Sequence, residues 1–148
     1  MAELLNTLTI DGTPMNVLND RFPSGDINMY YGSNASVSIA NATEQSWDLW
    51  TAPSDGIVIA SMSVTFNSGS GYRSLIAKKD GSEIGSAERV SSASNVTCRL
   101  TVPIIIYVNA GQKLQMVVSQ GSGAALAVIG RFLNGVFIPD VVGGSTTP

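Results

Sequence analysis

From Ser36 onward, apolar and polar residues alternate with a period of two. Val37 and Ile39 alternate with Ser36 and Ser38. Val58, Ala60, Met62, Val64 and Phe66 alternate with Ile59, Ser61, Ser63 and Thr65, the spacing of a long half-buried strand. Asp80-Gly81, between Leu75–Lys79 and Ser82–Ala87, predicts a two-residue hairpin whose central positions both need φ > 0. Cys98, Leu100 and Val102 alternate with Thr97, Arg99 and Thr101. Pro103 cannot donate to a ladder, so it belongs at an edge, a bulge or a corner. Asn109-Ala110-Gly111 reads as a turn, after which Leu114, Met116 and Val118 face inward. Asn134-Gly135, between residues 125–133 and 136–138, predicts a second hairpin. Nothing shows the i, i+3, i+4, i+7 stripe of a helix. About eight to ten strands at this spacing predict an all-β sandwich or barrel.

Residues 1–33 lack a sustained period and are punctuated by Gly12, Pro14, Pro23, Gly25 and Gly32. They predict an extended N-terminal arm ahead of a β domain at 34–148 with a short C-terminal tail. Leu8 and Ile10 alternate with Thr7 and Thr9 as a short edge strand would. Either the arm folds back on its own domain, or Leu8, Ile10 and Phe22 dock it on a larger assembly.

Composition narrows the chemistry. Of 148 residues only 13% are charged, against roughly 25% in ordinary soluble domains, and the net charge is −3. No basic stripe is available for nucleic acid. The absence of histidine removes His acid–base catalysis, Ser–His triads and His metal ligands. Cys98 is the only cysteine, so neither an intramolecular disulfide nor a Cys-cluster metal site can form, and its alternation with Leu100 predicts a buried inert thiol. Asp80 and Glu83 are accounted for by the hairpin, Asp48 and Asp55 lack any D-x-D spacing, and Gly69-Ser70-Gly71 precedes no helix that would cradle phosphate. The expectation is a protein without enzymatic activity, cofactor or metal. Glu3, Asn6, Thr7 and Thr9 interrupt what would be a secretory leader, and no apolar run approaches the ~20 residues of a membrane helix. Folding in a cytoplasm without membrane insertion is expected.

The low charge is concentrated. From Val102 to Pro148 the only charges are Lys113, Arg131 and Asp140. Ala125, Ala127, Ile129 and Leu133 share one strand parity, and Leu126, Val128 and Phe132 share the other. A strand apolar on both parities is covered on both faces, and in a two-sheet sandwich the second cover comes from another subunit. Trp47 and Trp50 also have opposite parity: either one meets a neighbouring subunit, or a bulge turns both inward. Trp47, Trp50, Ile129, Phe132 and Leu133 are therefore the candidate subunit-interface residues.

The order of strands and turns resembles the C1q/TNF-like jelly roll. Trp50–Phe66 (WTAPSDGIVIASMSVTF) is similar to that family's early strands through Pro53, Gly56, Ile57, Ser63, Val64 and Phe66, without the usual aromatic after the Gly. Leu75–Ile84 resembles its "l.i.kNG..ia" hairpin. Tyr107–Met116 resembles "v.LnaGDkV.l.v", with Gln112 in place of the common Asp, and Ser122–Leu126 resembles the closing "sgsa". The similarity covers about residues 46–139. It implies a homotrimer of roughly ten-stranded jelly rolls around a three-fold axis, doing binding or structural work. The animal family's Cys pairs and Ca²⁺-binding acids are not matched, so no metal is carried over. A small chain of this kind resembles bacteriophage virion components. The expected role is capsid decoration on a virion assembled in the host cytoplasm, with the arm and the jelly-roll base held by the major capsid protein or another virion protein. The alternative is a receptor-binding or fibre module whose distal loops, Asn67–Tyr72 and Ser91–Asn95, recognise a host-surface glycan or protein through Asn67, Tyr72 and Asn95.

Overall fold

The alternation from Gly56 to Phe66 becomes one continuous strand because its odd positions carry Ile, Ser and Thr while its even ones carry core residues. The computed structural model describes residues 7–10, 13–16, 27–91 and 96–140. Among these, β1 (Thr7–Ile10) and β2 (Thr13–Asn16) pair antiparallel with each other. Next come β3 (Ile27–Ser33), β4 (Val37–Ile39), β5 (Glu44–Thr51), β6 (Gly56–Phe66) and β7 (Gly71–Lys79). They are followed by β8 (Ser82–Ser91), β9 (Cys98–Val108), β10 (Lys113–Gly121) and β11 (Leu126–Pro139). Two antiparallel sheets result, a four-stranded one in the order β5-β10-β7-β8 and a five-stranded one in the order β3-β11-β6-β9, with β4 also on β11. The chain is an all-β jelly-roll sandwich.

The inner faces supply one core. Val58, Met62, Val64 and Phe66 meet Leu75, Ala77, Leu114, Met116 and Val118 across the sheets. Cys98 is buried among them, 2% exposed. Asp80 and Gly81 take φ of 45° and 82°, the turn that the sequence predicts, and Asp80 Oδ1 also accepts the Lys113 backbone N–H at 2.9 Å. Pro103 lies in β9, an edge strand of its sheet, where a missing donor is tolerated. In the Asn109–Gly111 turn, Gln112 Oε1 accepts the Asn109 N–H at 2.8 Å.

Three expectations need correction. Asn134-Gly135 is no hairpin: β11 runs straight through it, with Gly135 paired to Met29 on one side and Ala60 on the other. A Cβ there would collide with the Ile59 carbonyl and the Ala60 backbone, so the glycine serves close strand approach. Residues 27–33 do not belong to an arm. They form β3 on β11, with Met29 2% exposed, so they are part of the sandwich. The double apolar parity of residues 125–133 has an internal cause as well. A bulge between Val128 and Gly130 shifts the phase, so Val128 and Leu133 both face the core despite opposite parity.

Candidate functional site

The outward face of the five-stranded sheet carries the residues that the core does not use. Two rows cross it at one end. Ile57 lies between Ile138 and Tyr107, and Ile59 lies between Val136 and Ile105. Ile105 is 79% exposed, and Ile57, Ile59 and Tyr107 are each 41–44% exposed. These rows form a contiguous uncharged apolar patch on strands at the centre and edge of the sheet.

The other half of the face is polar and concave. Ser61 lies between Asn134 and Pro103, and Ser63 between Phe132 and Thr101. Tyr30 is opposite Asn134 on β3. Tyr30, Ser61, Ser63, Arg99, Phe132 and Asn134 surround a depression of about 240 Å³. Its aromatic walls lie down over glycines. A Cβ on Gly32 would strike the Tyr30 ring, whose Cζ is 2.7 Å from that point, and a Cβ on Gly130 would come within 3.0 Å of the Phe132 ring. Arg99 Nη2 donates to Ser63 Oγ at 3.3 Å, which draws the guanidinium across the sheet toward the depression. The one ion pair among the described residues is Lys113–Asp48, at 3.3 Å, so Arg99 has no carboxylate partner there.

The sequence candidates fall elsewhere. Trp47 and Trp50 both pack against their own domain's core, because a bulge at Leu114/Gln115 makes Leu49 the extra residue of β5. The Trp50 ring sits 5.2 Å from Phe137, and the Arg131 guanidinium lies 4.3 Å over the Trp47 ring. Leu133 is completely buried in that core and cannot form a subunit surface. Ile129 is the half-buried bulge residue, and Phe132 alone of the group reaches the outward face. At the loop end, Asn67 Oδ1 accepts the Ser68 N–H at 2.8 Å. The Tyr72 hydroxyl donates to Glu88 Oε1 at 2.8 Å, which raises its pKa. Asn95 and Phe22 lie outside the described residues, while Leu8 and Ile10 stand in β1, paired with Met15 and Thr13.

Elsewhere on the surface, hydrogen bonds from Gln115 and Lys113 hold the Asp48 carboxyl below its ordinary pKa. The Tyr107 hydroxyl donates to Asp140 Oδ2 at 2.6 Å, and this bond pushes its pKa up to about 12. No group of three or more metal-ligating side chains occurs among the described residues. The outward sheet face has the groups for contact and recognition.

Ile57, Ile59, Ile105 and Tyr107 were the surface that sequence reasoning missed. The signal was present: Ile57 and Ile59 occupy the polar parity of β6, and Ile104–Val108 is apolar at consecutive positions.

No protein-family model and no curated protein matches this chain. Solved structures share its fold. The TNF protein Eiger of S. frugiperda superposes with a TM-score of 0.55 at 9% identity, over 82% of this chain and 99% of that one. Dimeric latent PorU of Porphyromonas gingivalis superposes with a TM-score of 0.52 at 12% identity; the match takes in 76% of this chain and only 13% of that much longer one. A CBM36-1 domain of a multidomain xylanase, from the hindgut metagenome of Trinervitermes trinervoides, matches at a TM-score of 0.45 with 14% identity, over 75% and 97% of the two chains. The TNF-like likeness agrees with the jelly-roll class that the motifs imply.

Proposed function

We propose that this chain is a non-enzymatic jelly-roll module that works as a homotrimer, its copies packing through the apolar half of the outward sheet face. The observation that carries this reading is the contiguous row set Ile57, Ile59, Ile105 and Tyr107, uncharged and exposed in the single chain, continued by half-buried Val136 and Ile138. A second copy is the occupant because the side chains of the apolar half are neutral and offer no charge pattern for a distinct partner, the Asp140 carboxylate at the rim being tied to the Tyr107 hydroxyl. A net charge of only −3 also leaves little repulsion between copies. The number three follows the C1q/TNF-like sequence resemblance; the setting, a decoration protein held on a virion surface through its N-terminal arm and jelly-roll base, follows the separate likeness of such a small chain to bacteriophage virion components.

Light scattering on the size-excluded protein tests the association. The wild type is expected to elute as a trimer, and Ile105→Asp as a folded monomer with unchanged strand circular dichroism. A wild type that is monomeric at micromolar concentration would sink the proposal. For the setting, labelled protein should cover a particle lattice. Confinement to a fibre or tail tip would replace decoration with receptor binding.

A further inference from the structure

We infer that the depression between Tyr30, Phe132 and Arg99 is a binding site for an acidic sugar, a pyranose bearing a carboxylate. Each part of such a ligand has a counterpart in the depression. The two aromatic side chains, reclining over Gly32 and Gly130, offer ring surface to the C–H face of a pyranose. Ser61, Ser63 and Asn134 line the floor with donors and acceptors suited to hydroxyls, and Ser61 and Asn134 are exposed. Among the described residues Arg99 is the sole charged one in the lining, tied to the site by Ser63 and without a carboxylate partner. A planar guanidinium in that position matches a carboxylate with two parallel N–H donors.

Size and charge discriminate among ligands. A volume of about 240 Å³ is below the roughly 300–1,000 Å³ of drug-sized pockets, so it admits one ring and not a folded partner. Among the described residues the lining contains no Asp or Glu to repel an anion. A neutral sugar would leave the guanidinium unused, and a phosphate would leave the aromatic walls unused. The depression occupies the polar half of the sheet face, so self-association through Ile57, Ile59 and Ile105 leaves it open.

The test is NMR titration of the ¹⁵N-labelled full-length protein with D-glucuronic acid and, in parallel, with D-glucose. Glucuronate is expected to shift the amides of Ser61, Ser63, Arg99 and Asn134 and to bind about tenfold or more tightly than glucose. Arg99→Met keeps the aliphatic stem and should erase that preference. Phe132→Ala should weaken both sugars. Equal affinity for the two sugars, or shifts confined to other residues, would overturn the inference. So would glucuronate binding by the Ile105→Asp variant but not by the wild type, since the site would then be covered in the native oligomer. A monomeric wild type that still prefers glucuronate at these residues would sink the trimer and leave the sugar site standing.

Discussion

Arg73 is completely buried, with one hydrogen bond, from Nη1 to the Gly71 carbonyl at 2.7 Å. Its Nε and Nη2 have no partner among the described residues, and the guanidinium sits 6.0 Å from the Phe66 ring centre. A buried cation without a carboxylate costs more in lost hydration than one bond and a ring face return. Arg73→Met fills nearly the same space and removes both unpaired donors, while freeing one carbonyl at about 1 kcal/mol. The expected result in urea unfolding is a stability unchanged or raised by up to about 2 kcal/mol. A clear loss would mean that the cation is paired in solution. Tyr107 gives a residue-scale prediction of opposite character. Its bond to Asp140 holds the folded-state pKa at about 12, above the 10.0 of a free tyrosine. Below pH 10 both states carry the protonated phenol and the contribution is whole. As pH rises from 10 toward 12 the unfolded chain ionises first, and stability falls through that window. Tyr107→Phe should flatten the fall, as read by unfolding midpoints and by loss of the highest-pH tyrosinate transition.

β11 shows what an element demands beyond its own sequence. Asn134-Gly135 has the composition of a hairpin, yet β3 and β6 pair on either side of it and hold the strand extended. Gly135→Ala would drive a methyl into the backbone of Ile59 and Ala60, which cannot yield as a side chain end can. It should cost about 3 kcal/mol. Gly81→Ala meets nothing within 4 Å and pays only for φ of 82°, about 1 kcal/mol. Chemical denaturation of the pair checks the ranking, and equal losses would contradict the continuous strand. The contrast also marks the limit of reading strands from local pattern. β6, the Asp80-Gly81 turn and the inward set on β10 were legible because period and turn chemistry act within a few residues. The bulge in β11 was not, and the one in β5 stood only as one of two alternatives for Trp47 and Trp50, because each is set by its partner strand: Leu49 by β10, and Ile129 by β6. The candidate site suffered most. Tyr30, Ser61, Arg99 and Asn134 are neighbours only through the cross-strand register, which a single sequence does not display.

At the scale of the whole molecule, the deficit of charge acquires a location. The outward face of the five-stranded sheet divides into an apolar half and a polar half, and only the apolar half needs a cover. If three copies supply that cover to one another, folding and assembly are linked, and stability must depend on protein concentration. For a trimer, a tenfold rise in concentration adds about 1 kcal/mol per chain; for a monomer it adds nothing. The thermal midpoint of the wild type should therefore climb steadily over a concentration series. Ile59→Asp places a carboxylate between Val136 and Ile105 in the middle of the patch, where burial against a second copy would strip its water. That variant should show a midpoint independent of concentration, lower than the wild type's at every point and unchanged in strand content. Because the contact is apolar, added salt should leave the wild-type slope intact, whereas an interface of ion pairs would lose it. A flat wild-type series would place the exposed isoleucines on a monomer's surface and return the low charge to the status of an unexplained composition.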